Sequence, residues 1–399
     1  MHDSDTSFSA SKRIFCTEDA VRIAGQRQPK VIFDFIEGAS GREVAATRNQ
    51  SRFDEITLQQ RVMENVDRRN LSKTFLGQKY NLPFGIAPMG MCNLAWPDTD
   101  SALAQAATNY NIPICLSSAA SSTIKEMRDW AGENAWFQLY VGGSMELSLE
   151  LVERARTEGY KTLVLTVDVP QVSRRLRDLR NGFTMPFRLG PRLLWDFATH
   201  PRWSLTSIWH GAPSPKNFKL GKNGTHFDRN ASRAGANWNF LEKLRASWTG
   251  NLVIKGVTSA RDAIRIKQAG ADAIYVSNHG GRQLDSAPAA IDALPKIRNA
   301  VGADYPLLFD SGVRNGEDIV KALAMGADFV MIGRPMLFAM GADGAKGLNS
   351  LIKIFAEDTS LTLAQTGLND ITAVSPDILS NNTSAVEQLQ QPLLKTATS

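Results

Sequence analysis

Residues 251–281 read NLVIKGVTSARDAIRIKQAGADAIYVSNHGG. A short apolar run, Asn251 to Gly256, leads into a helical stretch opened by Thr258, with Ile264 and Ile266 directed inward and Gly270 as its stop. A second apolar run, Ala273 to Asn278, then ends in glycines. Neither run alternates apolar with polar residues, which suits strands covered on both faces in a parallel sheet. The unit recurs on either side, in runs at Pro83 to Pro88, Pro113 to Ser117, Ala135 to Tyr140, Thr162 to Asp168, Pro306 to Asp310 and Phe329 to Gly333. Helical patterns intervene: Ser144 to Glu158 puts Leu147, Leu151 and Ala155 on one face, and Asn315 to Met325 does so with Ile319, Ala322 and Leu323 before Gly326. Eight strands alternating with helices predict an α/β fold, a (β/α)8 TIM barrel, in preference to an open doubly wound sheet.

Three pieces lie outside the repeat. Residues 1–80 carry helical patterns at Glu18 to Arg27 and Pro29 to Glu37 and are expected to form an N-terminal helical cap. The barrel then spans 81–375, with a long insertion at 171–240 after the fourth strand. A polar tail rich in Ser, Thr, Asn and Gln follows at 376–399.

The 399 residues are 43% hydrophobic and 21% charged, which excludes a disordered chain or a fibre. No apolar run reaches the roughly 20 residues of a membrane span, and the polar start, Met1 to Ser11, lacks a signal-peptide core. Three cysteines (Cys16, Cys92, Cys115) without C-x-x-C spacing indicate neither a disulfide framework nor a zinc site, and point to a reducing cytoplasm. The net charge of +5 is local: between Gln171 and Arg233, twelve basic residues face only Asp178, Asp196 and Asp228. No recognition motif accompanies this charge, so a nucleic-acid partner is not expected.

Barrel enzymes place their chemistry at the C-terminal ends of strands. Four of the five histidines (His2, His200, His210, His226) lie in the tail or the insertion, so no metal site is expected. The fifth, His279, closes the sixth strand ahead of Gly280-Gly281-Arg282. It can exchange protons near neutral pH, and Arg282 can grip a carboxylate with its fork of donors. Asp168, ending the fourth strand, is a credible partner that orients the imidazole, with a helix cap as its alternative role. The glycine turns Asp310-Ser311-Gly312-Val313-Arg314 and Gly333-Arg334 stand where barrels commonly bind phosphate. Lys255 reads either as a Schiff-base lysine or as a fixed charge beside an anionic cofactor ring, and Ser117, Gln138 and Thr166 add polar groups suited to a flat heterocycle.

The motifs Ile86-Ala87-Pro88, Phe137-Gln138-Leu139-Tyr140, Leu165-Thr166-Val167-Asp168, Val253-Ile254-Lys255-Gly256, Ser277 to Asp285 and Gly333-Arg334-Pro335 are specific together. Through them the chain, from about Thr17 to Pro376, resembles the FMN-dependent L-2-hydroxy-acid dehydrogenases and oxidases. In His200-Pro201-Arg202-Trp203-Ser204-Leu205 it looks most like the membrane-associated mandelate and L-lactate dehydrogenases. The resemblance implies that FMN is the cofactor and that the 2-hydroxy acid becomes a 2-keto acid. It further implies that Lys255 lies by the flavin N1–C2=O edge, and that Ser117, Gln138, Thr166 and Ser277 hydrogen-bond the ring. Pro88, Met89 and Gly90 would pass beside N5. Asp310, Gly312, Arg314, Gly333 and Arg334 would hold the phosphate. Arg175 and Arg282 would clamp the substrate carboxylate, Tyr140 would contact its hydroxyl region, and His279, paired with Asp168, would take a proton from carbon or from oxygen. A homotetramer is implied as well.

One position departs from the family pattern. The N-terminal tyrosine that usually contacts the substrate carboxylate is replaced by Phe35, and losing such a bond weakens binding by roughly 1.5–3 kcal/mol. In the insertion, aromatic residues such as Phe183, Trp195, Trp203 and Trp209 interleave with basic ones, which reads either as an interfacial membrane segment or as a lid over the site. The membrane reading puts the protein in the cytoplasm, peripheral on the inner face of the cell membrane, with a quinone or similar electron acceptor. Gly90 leans the same way. A soluble oxidase producing hydrogen peroxide and a Schiff-base barrel lyase are the alternatives.

Overall fold

The computed structural model describes residues 11–142, 145–211, 213–218 and 232–380. Much of the tail, and the insertion residues 219–231 with Lys219, Lys222 and Arg229, lie outside the described residues. All eight apolar runs are strands of one closed parallel barrel: β3 (Phe84–Met89), β4 (Ile114–Ser117), β5 (Ala135–Leu139), β6 (Thr162–Thr166), β7 (Asn251–Val257), β8 (Ala273–Val276), β9 (Leu307–Phe309) and β10 (Phe329–Ile332), with β10 pairing back onto β3. The barrel interior is packed with side chains, among them Trp136, Val164, Val253, Tyr275, Leu308 and Phe329, so the strands form a core rather than a pore.

Between the strands run α4 (Thr99–Tyr110), α5 (Ile124–Ala131), α6 (Met145–Thr157), α10 (Trp238–Ser247), α11 (Ala260–Gln268), α12 (Ala290–Val301) and α13 (Gly316–Ala324), and α14 (Arg334–Gln365) follows the last strand. Helix α13 ends in a Schellman pair: Gly326 N–H donates to the Leu323 carbonyl and Ala327 N–H to that of Ala322, with Gly326 at φ +108°. Helix α11 corrects two details of the reading. Its cap is Ser259, whose hydroxyl accepts from Asp262 N–H, and Ile264 is exposed while Ile266 is buried. The strict inward pair would need a spacing of three or four, not two.

The N-terminal segment is divided between the two ends of the barrel. A hairpin, β1 (Lys73–Phe75) and β2 (Gln78–Tyr80), places Phe75 and Tyr80 against Trp136 and Phe329 near the strand starts, closing that end. Helix α1 (Thr17–Arg27) lies along α14. Helices α2 (Lys30–Glu37) and α3 (Val44–Glu55) reach the opposite end. There Asn49 of α3 and Asn278, just after β8, exchange amide hydrogen bonds of 2.7 and 2.8 Å. The described part of the insertion carries three helices joined by irregular segments: α7 (Leu176–Asn181), α8 (Pro191–Thr199) and α9 (Pro201–His210).

Candidate active site

A cavity of about 350 Å³ opens at the C-terminal end of the strands, within the size range of small-molecule sites. Phe35 of α2, Met89 at the end of β3 and Gly90 after it, Tyr140 after β5, and Arg175 and Phe183 of the insertion line it. Lys255, His279, Arg282, Arg314 and Arg334 complete the wall. Residues from eight separate segments therefore meet at one cavity.

Three residues form a line of hydrogen bonds at its reactive end. His279 Nδ1 lies 3.0 and 3.2 Å from the two Asp168 carboxylate oxygens, and its Nε2 lies 3.2 Å from the Tyr140 hydroxyl. A carboxylate at Nδ1 selects the tautomer with the proton there, so Nε2 carries the lone pair and Tyr140 O–H donates to it. Burial, with the Asp168 charge behind it, pushes the Tyr140 phenol up to about 12, so it remains a donor at neutral pH. His279 itself sits in the left-handed region at φ +59°, held by its N–H to the Ser277 hydroxyl at 3.0 Å. The neighbouring turn is held by Ser311, whose hydroxyl accepts from Gly280 N–H at 3.0 Å.

Lys255 is buried, and its ammonium donates to Asp310 and to the Ser277 hydroxyl, both at 2.6 Å. Burial alone would raise the Asp310 carboxyl, but the Lys255 charge and hydrogen bonds from Ser277 and Ser311 bring it below its ordinary value. The lysine is thus engaged in a buried ion pair with Asp310, whereas a Schiff base needs an amine free to attack a carbonyl. That disfavours the lyase reading. It also places Asp310 against Lys255 rather than toward an anion.

Behind the cavity wall, Gln138 donates to the Thr166 hydroxyl at 2.9 Å, and Ser117, Gln138, Thr166 and Ser277 are all buried. The chemistry of this row, neutral hydrogen-bonding groups beside the Lys255 charge, fits the edge of a flat heterocycle. Arg314 and Arg334 are cavity-lining cations that form no ion pair among the described residues. Burial, and then the neighbouring Arg314 and Arg175 charges, push the Arg334 guanidinium down to about 9; burial also lowers Arg314. Positive charge held at such a cost, beside Gly333 and the start of α14, is relieved by a bound anion and fits a phosphate group. Gly333 leaves room there, since a Cβ would meet nothing nearer than the Met89 sulfur at 3.6 Å. Gly312 has a different reason: its φ is +108°, and a Cβ would lie 2.3 Å from the Asn49 carbonyl oxygen of α3.

A model of the FMN-dependent dehydrogenase family matches residues 24–381. The chain belongs to the FMN-dependent dehydrogenase family. It is 38% identical over 388 residues to the (S)-mandelate dehydrogenase of Pseudomonas putida, an alignment covering 95% of this chain and 98% of that one. An L-lactate dehydrogenase of Pseudomonas syringae pv. syringae is 36% identical, with 90% and 96% covered. Among solved structures, a monotopic membrane protein, (S)-mandelate dehydrogenase, superposes with a TM-score of 0.88 at 38% identity, covering 93% of this chain and all of that one. A mandelate oxidase superposes at 0.78 with 32% identity, covering 90% and 97%. As an FMN-dependent dehydrogenase, the chain has the cofactor and enzyme class that its motifs imply. Among its described residues, no group of three His, Cys, Asp or Glu side chains could hold a metal ion, and no helix is long and apolar enough to cross a membrane.

The insertion contributes site residues that the motifs do not mark. Phe183, Met185 and Arg233 all line the cavity. Phe35 stacks on Phe183 with ring centroids 4.4 Å apart and planes within 6°. Their only signal in the sequence is composition, the aromatic and basic residues crowded between 171 and 240.

Proposed function

We propose that this enzyme oxidises an L-2-hydroxy acid, lactate- or mandelate-like, to the 2-keto acid and passes the electrons to a membrane quinone. The observation that carries the reading is the Asp168–His279–Tyr140 line standing beside the guanidinium groups of Arg175 and Arg282. Arg175 and Arg282 bind the acid group by charge-assisted hydrogen bonds. Tyr140 orients the substrate hydroxyl toward His279. His279 Nε2 accepts a proton from the substrate, and Asp168 stabilises the imidazolium that results. FMN, when bound, supplies the two-electron acceptor for the bond that is oxidised. Arg314, Arg334 and Gly333 would hold its phosphate, while Lys255, Gln138 and Thr166 would offer charge and hydrogen bonds to its ring. The apolar wall formed by Phe35, Phe183 and Met185 keeps water from the reacting atoms and receives the substrate side chain.

Anaerobic titration of the yellow holoenzyme with the enantiomers of lactate, mandelate and longer 2-hydroxy acids tests this. An L-enantiomer should bleach the flavin band, and the bleached state should persist until a quinone is added. Rapid recolouring by air alone would instead favour the oxidase, and a flavin bleached by none of these acids would refute the reading. Phe35→Tyr, which restores a hydroxyl at the cavity wall, is expected to lower KM for small 2-hydroxy acids about tenfold. An unchanged or higher KM would remove Phe35 from the substrate site.

The membrane acceptor is supported by the insertion. Helices α8 and α9 turn Leu193 and Trp203 inward, and Trp203 donates its indole N–H to the Leu94 carbonyl at 3.0 Å. Their other side exposes Trp195 (72%), Ile208 (77%) and Trp209 (87%), with Arg188, Arg192 and Arg202 on or beside the same helix pair. Exposed aromatic and aliphatic side chains flanked by basic ones suit the boundary of an anionic lipid surface. From the cavity outward, Phe35, Phe183, Phe187, Phe197 and Trp203 make successive ring contacts, so this element both roofs the cavity and presents the apolar face. Replacing Trp195, Ile208 and Trp209 together by serine should release the protein from sedimenting anionic vesicles without lowering its melting temperature. Undiminished sedimentation would count against the membrane role.

A further inference from the structure

Arg233 reaches the reactive end of the cavity from the far side of the insertion. Its backbone N–H donates to the Pro170 carbonyl at 2.9 Å, which ties it to the loop after β6. Its guanidinium lies over the Tyr140 ring, 4.6 Å from the centroid, and it lines the same cavity as Tyr140, Arg175, His279 and Arg282. Of the charges that act on the Tyr140 phenol, Asp168 opposes its ionisation, whereas Arg233, Arg175 and Arg282 all favour it. Three guanidinium groups therefore line the same cavity as the Tyr140 hydroxyl that hydrogen-bonds to His279. Asp168 is engaged with His279 Nδ1.

Two further facts suggest why a third cation is present. Phe35 has no hydroxyl to offer an acid group, and its ring is stacked on Phe183. Arg282 directs part of its donor fork to the end of α2, to the Phe35 carbonyl at 3.0 Å and the Ile36 carbonyl at 3.1 Å, as a C-terminal helix cap does. The acid group of a bound substrate thus meets fewer donors from the α2 side, and more positive charge from the insertion side.

We propose that Arg233 is a substrate-binding residue, a third guanidinium that recognises the acid group of the 2-hydroxy acid and supplies the contact that Phe35 cannot. The assignment rests on the oxidation proposed above. It makes the insertion part of the specificity machinery as well as a roof: its apolar residues meet the side chain of the substrate, and Arg233 meets the anion. A neutral analogue of the substrate, such as the 2-hydroxy amide, would gain nothing from Arg233.

Steady-state kinetics and equilibrium titration of the oxidised holoenzyme with phenylacetate, followed by the flavin absorbance, test the proposal together. Arg233→Met should raise KM for 2-hydroxy monoacids and the Kd of phenylacetate by roughly 10- to 100-fold, with a much smaller change in kcat. Arg233→Lys should fall between it and the wild type, because the charge remains while the planar fork is lost. Adding Phe35→Tyr to Arg233→Met should recover part of the lost affinity. A kcat loss with KM and Kd unchanged would mean that Arg233 only braces the Tyr140 ring, and would overturn the assignment. So would a loss confined to 2-hydroxy diacids, which would place Arg233 on a second, distal anion. If Arg233→Met fails to fold, the same comparison made with Arg233→Lys and Arg233→Gln decides. A wild-type flavin that no 2-hydroxy acid bleaches defeats the oxidation itself; a bleached wild type with unchanged variants defeats only the role of Arg233.

Discussion

Replacing His279 by glutamine is expected to slow flavin reduction by the 2-hydroxy acid roughly 10²- to 10⁴-fold while the protein still binds FMN. Glutamine keeps a polar group of similar reach but cannot accept the proton as Nε2 does, and Arg314 and Arg334, proposed above to hold the phosphate, lie on other segments. Asp168→Asn should slow the reaction as well, because an amide beside Nδ1 no longer favours the protonated imidazole that follows proton transfer. Rapid-mixing absorbance under nitrogen reads both variants directly, and a His279→Gln enzyme within tenfold of wild type would exclude histidine as the base. The pH profile adds a separate check. A phenol pushed up to about 12 keeps its proton through mildly alkaline solution, so kcat/KM should show no basic limb from Tyr140 below about pH 11. Tyr140→Phe should leave the shape of that profile unaltered while lowering its height; a limb near pH 10 that vanishes in Tyr140→Phe would mean that the phenol titrates normally.

Lys255→Met should destabilise the apoprotein by about 3–5 kcal/mol, because it strands the Asp310 carboxylate in a buried site. The pH dependence of this loss has a definite sign. In the wild type Asp310 lies below its ordinary value, so its contribution is present above the unfolded-state pKa and is lost as pH falls through the folded one. Without Lys255, burial is left to raise the same carboxyl, the folded state binds the proton more tightly, and stability is regained as pH falls. Urea unfolding at pH 7 and pH 5 should therefore show the variant gaining stability at the lower pH, whereas the Asp310 contribution in the wild type is constant over this range and is lost only below the unfolded-state value of about 3.9. Lys255→Met with Asp310→Asn should recover most of the loss, since a neutral amide needs no counter-ion. Equal destabilisation of single and double variants would show that the methionine packs badly and that the ion pair is not the cause.

The strand pattern was legible because a parallel barrel demands it. Each strand is covered on both faces, so each appears as a short apolar run, and eight such runs separated by helices leave few other arrangements. The residues around the run ends were legible for the same reason: the C-terminal ends of all the strands, and the residues just past them, stand at one common mouth. That is how His279, Lys255, Asp168 and Tyr140 could be picked out singly. The details of α11 were harder to read, since Thr258 and Ser259 are both capable caps and Ile264 and Ile266 are equally apolar. Only packing against the barrel selected one of each.

What the sequence by itself determined about this protein is the barrel, the cofactor family and the residue types at the mouth, because these follow from local periodicity and from motifs contiguous in the chain. The tertiary structure decided which of those residues act together. Asp310 is drawn to Lys255 across 55 positions, Arg282 to the end of α2 across some 246, and Arg233 to Tyr140 from the insertion. The N-terminal segment is divided likewise, its hairpin closing one end of the barrel while α2 and α3 build the other. Such pairings depend on how closed strands bring distant loops to one rim, where burial makes an unpaired charge costly and so selects its partner.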